Sequence, residues 1–255
     1  MSYQLSVIII TKNEQDRLDR CLRSVADIAD EIIVLDSGST DNSVAIAQTY
    51  TDKVYITDWP GYGPQKQRAL DMTMYDWVLS IDADEVLTPE LADEIQTILA
   101  TSPVEVSFKI QWAVMLFGKQ LDYGRSARFV ERLFRREGAQ FSDDLVHEKI
   151  ILPKGKTSKL KNRLLHYSNR DFEHLLNKAS LYANLGAEKR HKAGRYGGGL
   201  AVAALRSVWV FFQIYIFRLG IIDGGRGFLM AMIYAQYTFN KYAGAWAMRE
   251  DEKRK

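Results

Sequence analysis

The sequence has a single cysteine, Cys21, and only five prolines among 255 residues. One cysteine excludes an intramolecular disulfide and a cysteine-based zinc site, and it predicts a protein of a reducing compartment. The position of Cys21 among apolar residues at helical spacing indicates a place in a helix core. The sequence has no internal repeat and no stretch rich in serine, glycine and proline, which excludes a solenoid and a long disordered linker.

The N-terminus lacks the features of a targeting segment. No basic residue precedes the apolar run Leu5–Thr11, and this run is too short for a signal peptide or a membrane span. We therefore expect the protein to act on the cytoplasmic side. The chain is long enough for one large α/β domain with a helical region added to it.

Charge is distributed unevenly along the chain. Residues 1–100 carry 18 of the 32 acidic residues and 7 of the 34 basic residues, so the remainder of the chain is strongly basic. A basic region suits an anionic partner such as a phosphorylated lipid, a membrane surface or a nucleic acid. We do not expect a nucleic acid, because no recognisable binding module accompanies the charge.

Strand-like and helix-like segments alternate through the first hundred residues. The apolar run Leu5–Thr11 precedes an amphipathic helix that begins near Arg17. Further strands are predicted at Glu31–Asp36, 54–57 and Trp77–Asp82, with helices at 44–50, 64–72 and 89–100. This order predicts an α/β fold with a mostly parallel sheet and helices on both faces. Later strands are predicted at 104–117 and 164–167, and helices from Asp171 onwards.

Acidic residues follow two of these predicted strands. Asp36 ends the second strand, while Asp82 and Asp84 flank Ala83 at the end of the strand Trp77–Asp82. Ligands of open parallel sheets bind beyond the carboxyl ends of the strands. Two carboxylates one residue apart can address one divalent cation, which bridges to a diphosphate. For this motif taken alone, an ordinary acidic turn is the alternative.

The turn after the second strand is a candidate base-binding loop. We expect Asp36 to accept a hydrogen bond from a base, with Ser37 and Gly38 forming a tight turn beside it. Helix capping explains Thr40 and Asp41.

Two further groups of polar residues are candidates for nucleotide binding. Thr11, Asn13 and Glu14 end the first strand and could hold the base or the ribose. Glu14 could equally favour the start of the following helix, where a negative charge suits the dipole. Lys66 and Arg68 could meet the base or a phosphate, and a solvated helix face is the alternative for both.

The strand-end motifs resemble those of a known enzyme family. They are Thr11-Lys12-Asn13-Glu14, Asp36-Ser37-Gly38-Ser39-Thr40-Asp41 and Asp82-Ala83-Asp84-Glu85. In order and position they are similar to the motifs of family 2 of the inverting glycosyltransferases. The resemblance covers roughly residues 1–150 and implies the Rossmann-like GT-A fold. Because helical composition follows, we expect a nucleotide-sugar-binding catalytic domain at 1–168 and a helical basic-aromatic region at 169–255.

A narrower resemblance suggests a substrate. The Thr-Lys-Asn-Glu start, the segment Val146-His147-Glu148 and the basic-aromatic C-terminus are similar to the WaaE/KdtX group, which adds β-glucose to an inner-core heptose of lipopolysaccharide. The implied reaction moves glucose from UDP-glucose to a hydroxyl of a lipid-linked saccharide. A polyprenyl-phosphate glycosyltransferase and a non-catalytic nucleotide-binding membrane adaptor are the alternative functions.

The family resemblance also implies roles for the acidic residues. Asp36 would contact the uracil, and Asp84 together with Asp82 would hold Mg²⁺ or Mn²⁺ on the diphosphate. Ser37, Gly38 and Ala83 would line the nucleotide. His166 is a candidate third metal ligand, because GT-A enzymes sometimes supply one from a late histidine; a structural histidine is the alternative.

The catalytic base of the family frequently lies in a Glu-Asp pair, which this sequence lacks. We expect Glu148 to act as the base, with Asp144 as the second candidate. The base takes the proton of the acceptor hydroxyl as that oxygen attacks the anomeric carbon. His147 could orient the base or touch the diphosphate. A surface ion pair is the alternative for Glu148, and a structural role is the alternative for His147.

Basic residues outside these motifs are candidates for acceptor or phosphate binding. Arg132, Arg135 and Arg136 flank an apolar pair and could face either group or solvent. Residues 200–222 are aromatic and apolar but contain Arg206 and Arg218. A central arginine costs about 2.5–3.5 kcal/mol on insertion scales, so we expect an interfacial helix rather than a span.

The C-terminal region therefore predicts a peripheral protein on the inner face of the cytoplasmic membrane. Basic residues between 149 and 195 would attract anionic lipids or the phosphates of an inner core. The alternative is a pair of helices that packs on the catalytic domain or against a second copy of the chain in a homo-oligomer.

Overall fold

The chain combines a large sheet with three long helices. A computed structural model of the chain describes residues 3–126, 128–143, 149–196 and 198–254. The strands are β1 (Leu5–Thr11), β2 (Glu31–Asp36), β3 (Val54–Ile56), β4 (Trp77–Asp82), β5 (Glu85–Leu87), β6 (Ser107–Leu116), β7 (Lys119–Leu121), β8 (Phe129–Arg135), β9 (Gln140–Phe141), β10 (Ile150–Ile151) and β11 (Thr157–His166). The helices are α1 (Leu18–Ala26), α2 (Ser43–Gln48), α3 (Tyr62–Asp71), α4 (Pro89–Ala100), α5 (Phe172–Lys192), α6 (Gly199–Phe212) and α7 (Gly224–Glu252).

Nine of the strands in the described ranges form one mixed sheet. Eight follow the order β3-β2-β1-β4-β8-β6-β11-β5, and β7 pairs with β6. The first four are parallel, whereas β8 is antiparallel to β4 and β6 is antiparallel to β8. Thr11 pairs with Asp36, and its neighbour Ile10 pairs with Asp82. The predicted α/β fold is confirmed. The predicted ends of β1, β2 and β4 lie side by side, at the carboxyl ends of the parallel strands.

The sheet is buried on both faces. Val7 and Ile9 of β1 belong to the core formed with α1 and α4, whereas Ile8 and Ile10 belong to the core formed with α3. Successive side chains of a strand point to opposite faces, which explains this division. Each such side chain stabilises the fold by about 1.5–3 kcal/mol. Burial on both faces is the reason that residues 7–10 of β1 form a continuous apolar run rather than an alternating one.

Helix α4 begins as predicted. The side chain of Thr88 accepts a hydrogen bond from the backbone N–H of Leu91 at 3.2 Å, and Pro89 is the first helical residue. Helix α3 begins at Tyr62, two residues before the predicted start at Pro64. Pro64 fits there because the N–H groups of the first helical turn have no partner within the helix.

Two compact units divide the chain. The first comprises Met1–Ala113 and Arg128–Ser168, and the second comprises Val114–Ala127 and Asn169–Lys255. We expected residues 114–127 in the first domain. They belong to the second unit because Leu116 and Leu121 pack in one core with Leu175, Met230 and Ile233.

The second unit is built from α5, α6 and α7. Helix α6 continues into a π-helical turn at Gln213–Phe217, and a 3₁₀ turn at Gly220–Asp223 precedes α7. A glycine is required at position 227 of α7, which packs against that turn, since a Cβ atom there would lie 1.8 Å from the backbone oxygen of Gly220. The carboxylate of Asp223 accepts hydrogen bonds from the backbone N–H groups of Asp122 and Tyr123, each at 3.1 Å.

The stretch Gly199–Phe217 is apolar and largely uncovered. By length and composition alone it could cross a membrane, with a mean hydropathy of 1.8 and 11% of its residues buried. Leu205, Trp209 and Phe217 are exposed by 70%, 57% and 66%. We call the exposed apolar side chains of this stretch the α6 face; they are Leu200, Leu205, Val208, Trp209, Phe212, Ile216 and Phe217.

Candidate functional site

The carboxylate of Asp82, at the end of β4, lies between two buried cations. The Nζ atom of Lys66 in α3 is 2.8 Å from Oδ1, and Arg132 of β8 donates from Nη2 to Oδ2. Burial alone would raise the pKa of Asp82, but the charges of Arg132 and Lys66 outweigh it and hold this pKa far below its usual range. Asp82 therefore stays ionised and holds both cations at this edge of the sheet.

Strand pairing explains the position of Arg132. Leu133 pairs with Leu79 in the antiparallel β4–β8 ladder, so Arg132 lies one step closer to the carboxyl end of β4. Arg135 pairs with Trp77, at the opposite end of β4. Arg132 and Arg135, although both in β8, therefore lie near opposite ends of β4.

Arg135 and Arg136 consequently lie away from Asp82. Arg135 donates to the backbone oxygen of Pro103 at 2.6 Å, and its guanidinium lies 4.9 Å from the ring centroid of Trp77. Arg136 donates to the backbone oxygen of Met74 at 3.4 Å. Of the three arginines predicted to face a phosphate or the acceptor, the structure brings only Arg132 to the strand-end site.

Glu85 is hydrogen-bonded to Arg132 and Asp82 of the strand-end site and to Trp112 of β6. Its Oε1 accepts from Nη2 of Arg132 and from Nε1 of Trp112, both at 2.6 Å, and its Oε2 accepts from the backbone N–H of Asp82 at 2.8 Å. Glu85 is fully buried, and burial raises its pKa. Sequence reasoning missed this role; the signal was a third carboxylate directly after Asp84 in an otherwise apolar context.

Asp84 faces His166. In the antiparallel β5–β11 pair His166 is opposite Glu85, and the backbone N–H of Tyr167 donates to the backbone oxygen of Asp84 at 2.8 Å. This pairing places Nε2 of His166 3.4 Å from Oδ2 of Asp84. Burial opposes ionisation of both groups, yet their mutual attraction lowers the pKa of Asp84 and raises that of His166.

Arg17 was also missed from the sequence. It donates from Nε to the carboxylate of Glu14 at 2.7 Å and from Nη1 to the backbone oxygen of Tyr167 at 3.0 Å. Its Nη1 atom is 3.7 Å from Oδ2 of Asp84. The signal in the sequence was a charge on an apolar helix face, four residues before Cys21.

Asp36 is buried and stabilises its own turn. Its Oδ1 accepts from the backbone N–H groups of Gly38 at 2.9 Å and Ser39 at 2.7 Å, and its Oδ2 accepts from the Ser39 hydroxyl at 2.5 Å. Gly38 has φ +79°, a value that glycine adopts without strain. A carboxylate offers about four acceptor positions, so these three bonds leave room for one further donor.

The loops after β1 and β2 are joined. Oδ1 of Asn13 accepts from the backbone N–H of Thr40, and the backbone N–H of Asn13 donates to the Ser39 hydroxyl, both at 2.8 Å. The backbone N–H of Glu14 donates to the Ser43 hydroxyl at the same distance. These bonds position the ends of two neighbouring parallel strands relative to each other.

Buried polar side chains lie below these two loops. The Thr11 hydroxyl is buried and has no hydrogen-bond partner in the described structure. Gln65 of α3 donates to the hydroxyls of Ser37 at 3.1 Å and Thr57 at 2.6 Å. Buried hydroxyls without partners are uncommon in folded proteins.

Some predicted residues lie elsewhere or outside the described ranges. Arg68, predicted together with Lys66, pairs with exposed Asp58 at 2.6 Å. Asp144, His147 and Glu148, the candidates for the base and its orienting residue, lie outside the described residues.

Asp84 and His166 offer donors that fit a divalent cation. A carboxylate suits Mg²⁺ and Mn²⁺, and imidazole is a common ligand of transition metals. Nδ1 of His166 is buried without a hydrogen-bond partner in the part of the chain that is described. Within those residues, no group of three or more His, Cys, Asp or Glu side chains could hold a metal ion. A cation bound at Asp84 and His166 would need ligands from outside this pair of side chains.

Comparisons with known proteins agree on one family. The model of glycosyl transferase family 2 matches residues 6–146, more than half of the chain. An uncharacterized glycosyltransferase of Rickettsia typhi is 34% identical, over 94% of this chain and 86% of the relative. The lipopolysaccharide core biosynthesis glycosyltransferase LpsC of Rhizobium meliloti is 32% identical, over 92% of this chain and 89% of the relative.

A solved structure is similar over a smaller part of the chain. It is glucosyl-3-phosphoglycerate synthase from Mycobacterium tuberculosis in complex with Mg²⁺ and uridine diphosphate, 27% identical over 43% of this chain and 44% of that one, with a TM-score of 0.38. The family match and the two full-length relatives confirm the family suggested by the strand-end motifs, and the chain belongs to glycosyltransferase family 2.

Proposed function

We propose that the chain transfers glucose from UDP-glucose, with inversion, to a hydroxyl of the inner-core heptose of lipopolysaccharide. Family 2 membership supports sugar transfer, and the relative LpsC supports an acceptor in the lipopolysaccharide core. The observation that carries the proposal is the cluster at the carboxyl ends of β1, β2 and β4, where buried cations and an Asp–His pair meet.

In this proposal the cations of the cluster bind the donor diphosphate. Lys66 and Arg132 supply positive charge in a buried setting, where electrostatic interactions are stronger than in water. Asp82 orients both cations through its two oxygens. Asp84 and His166 would hold Mg²⁺ or Mn²⁺, which would stabilise the negative charge of the departing diphosphate.

The nucleoside is proposed to lie over the loops after β1 and β2. The remaining acceptor position of Asp36 suits the imide N–H of uracil, and the unpartnered Thr11 hydroxyl suits a carbonyl of the base. Asn13 and Glu14 would line the ribose side. Ser37, Gly38 and Ala83 would contribute close backbone contacts to the nucleotide.

Glu148 is proposed as the general base, with Asp144 as the second candidate and His147 as an orienting residue. The proton leaves the acceptor hydroxyl as its oxygen bonds to the anomeric carbon on the face opposite the nucleotide, and the pair of electrons of the broken bond leaves with UDP. General-base catalysis of this kind contributes roughly 10²–10⁴-fold in rate.

A transfer assay tests the function. Full-length protein is incubated with UDP-glucose, Mn²⁺ and a truncated core oligosaccharide that exposes inner-core heptose, and the product linkage is read by NMR. We expect β-linked glucose, formed with inversion, and a loss of roughly 10²-fold or more in Glu148→Gln. Glu137→Gln is the matched control. Glu137 is an exposed carboxylate outside the proposed site, so this variant should retain activity.

Two results would contradict the proposal. Transfer with retention of the anomeric configuration would reject the mechanism. Transfer to polyprenyl phosphate and not to the heptose acceptor would reject the acceptor and favour the polyprenyl-phosphate glycosyltransferases.

The α6 face is proposed to rest on the cytoplasmic leaflet of a membrane, close to a lipid-linked acceptor. Between residues 199 and 249 the sequence has five basic residues and a single acidic one, Asp223. Asp223 already accepts two backbone hydrogen bonds. An exposed apolar helix with cations beside it suits an interfacial position on anionic lipid.

A further inference from the structure

Three cations from three different helices meet at one tyrosine of the second unit. The guanidinium of Arg190 in α5 lies 4.0 Å from the ring centroid of Tyr242, and that of Arg206 in α6 lies 4.9 Å from it. Nζ of Lys241 in α7 is 5.5 Å from the same centroid. The contacts among the three helices therefore bring three positive charges to one place.

A fourth cation comes from the segment 114–127 of the same unit. The guanidinium of Arg125 lies 4.8 Å from the ring centroid of Tyr234, and Nζ of Lys241 lies 5.0 Å from that of Tyr237. We call Arg125, Arg190, Arg206 and Lys241 the cation cluster.

The cation cluster has no ion-paired carboxylate in the part of the chain that is described. None of its four side chains forms an ion pair with a carboxylate there. Burial lowers the pKa of Lys241, and the charges of Arg190, Arg125 and Arg206 lower it further. Four like charges that repel one another are unfavourable for folding unless another interaction offsets them.

Lys241 is held in place by its packing. A Cβ atom on Gly186 of α5 would lie 2.8 Å from Cδ and 3.0 Å from Cγ of Lys241, so the stem of the lysine occupies the space that a side chain at 186 would fill. Nε of Arg190 is buried and has no hydrogen-bond partner among the described residues. The same guanidinium donates from Nη2 to the backbone oxygen of Arg195 at 2.8 Å, so contacts within the protein position both cations.

Contacts with aromatic rings do not remove the need for an anion. A cation over a ring is attracted by the ring quadrupole, but the ring carries no net charge and the repulsion among the cations remains. Guanidinium and ammonium groups bind phosphate oxygens through charge-assisted hydrogen bonds. We propose that Arg125, Arg190, Arg206 and Lys241 form a binding site for a phosphate-bearing group, built from residues of the second unit alone.

Two sources could supply this phosphate. One is a phosphate carried by the saccharide acceptor, and the other is the headgroup of an anionic phospholipid. The site goes beyond the proposed transfer reaction, because it can be measured in the full chain without donor sugar or metal.

Calorimetry with pyrophosphate, in the presence of saturating UDP that occupies the proposed donor-diphosphate site, tests the site. We expect at least tenfold weaker binding in Arg206→Gln and in Lys241→Gln than in the unchanged protein. Arg249→Gln is the control, because Arg249 is exposed like Arg206 and lies 5.0 Å from the ring centroid of Tyr196. Equal affinity in all four proteins would overturn the proposal.

A charge-preserving variant distinguishes binding by an ordered site from attraction by the net positive charge alone. Gly186→Ala keeps every cation but displaces the stem of Lys241, so we expect pyrophosphate binding to weaken while the net charge is unchanged. Unaltered binding in this variant, with folding verified by circular dichroism, would contradict an ordered site.

Thermal unfolding without ligand gives an independent readout. Removing one of four repelling charges should leave Tm unchanged or raised in Lys241→Gln. A lower Tm together with unchanged pyrophosphate binding would show that the lysine only packs, and would overturn the proposal.

Vesicles distinguish the two sources of phosphate. Sedimentation is compared for vesicles of phosphatidylcholine alone and for vesicles that also contain phosphatidylglycerol. A loss of anionic-vesicle binding in Arg206→Gln and Lys241→Gln supports the site with a lipid headgroup as its ligand. A loss confined to pyrophosphate binding supports a phosphate on a soluble or acceptor molecule. If the unchanged protein binds neither probe, the proposal is rejected.

Discussion

Asp82 and Asp84 are separated by one residue, yet they have different partners. Asp82 holds Lys66 and Arg132, whereas Asp84 faces His166. The carboxylate of Asp82 is thus neutralised by the protein itself. A divalent cation would meet less competition at Asp84, where the nearest partner is a titratable imidazole.

Calorimetry of UDP binding with and without Mn²⁺ separates the two roles. In Asp84→Asn we expect the increase in affinity caused by Mn²⁺ to be lost, while weak metal-free binding remains. In Asp82→Asn we expect metal-free binding to weaken as well, because Lys66 and Arg132 lose the group that orients them. Equal Mn²⁺ dependence in Asp84→Asn and the unchanged protein would argue against a metal at Asp84.

Glu31 is a structural carboxylate far from these strand ends. It accepts from the Ser6 hydroxyl at 2.6 Å and the backbone N–H of Met74 at 3.0 Å, and it pairs with Lys53 at 2.5 Å. Burial opposes its ionisation, but the hydrogen bonds from Lys53 and Ser6 and the backbone N–H of Met74 lower its pKa below the ordinary value.

Urea unfolding of Glu31→Gln should show a loss of about 1–3 kcal/mol at neutral pH. Because the folded-state pKa lies below the unfolded one, this stabilisation is complete above the ordinary glutamate pKa of about 4.3 and is lost as the pH falls through the folded-state value. The two proteins should therefore converge in stability under acid conditions. A constant difference at all pH values would exclude the ionised form as the cause.

Residues at strand ends could be predicted as candidates, and so could the cations beside Asp82, but not the way in which they pair. Asp36, Asp82 and Asp84 follow apolar runs, and the edge of a parallel sheet is where ligands bind. The roles of Arg17 and Glu85 depend on the β5–β11 pairing and on the position of β8, which no local pattern encodes. Sequence reasoning therefore named strand-end residues that the structure brings together, but it missed Arg17 and Glu85.

At the scale of elements, the parallel half of the sheet was easier to predict than the antiparallel half. Strands β1, β2 and β4 are buried on both faces, and their interiors are mainly apolar, with Ser6 in β1 and Ser80 in β4 as exceptions. Strand β11 alternates between exposed and covered residues and contains three lysines or arginines before Leu164, so only its last residues were expected. Its length follows from pairing with distant strands rather than from its own composition.

The α6 face should bind lipid. Replacing Trp209 and Phe212 by serine is expected to weaken sedimentation with anionic vesicles by roughly tenfold or more, because each large apolar side chain contributes about 1.5–3 kcal/mol when buried. Val104, which is 81% exposed in the first unit, gives the control variant Val104→Ser. Equal sedimentation of both variants would reject the α6 face as the contact.

At the scale of the whole molecule, each of the two units is formed by two separate stretches of the chain. The segment 114–127 is inserted between two parts of the first unit, and its apolar side chains complete the core of the second. A boundary at residue 168 was predicted because the helical composition begins there. Composition could not reveal that the segment 114–127 packs in one core with the helices of the second unit.

A fragment that ends at residue 168 tests this division. It keeps Leu116 and Leu121 but loses Leu175, Met230 and Ile233, which cover them. We expect the fragment to be less soluble than the full chain and to unfold at a lower temperature. A fragment as soluble and as stable as the full chain would show that the segment folds without the helices.

The single cysteine lies directly behind the strand-end site. Its thiol donates to the backbone oxygen of Asp82 at 3.5 Å, and its side chain is fully buried. Burial raises the pKa of Cys21, and the charges of Glu85 and Asp84 raise it further. Alkylating reagents react with the thiolate, so modification requires α1 to separate from the end of β4 first. The rate of alkylation would thus report how often this end of the sheet opens, and a donor that holds the site closed would slow the reaction.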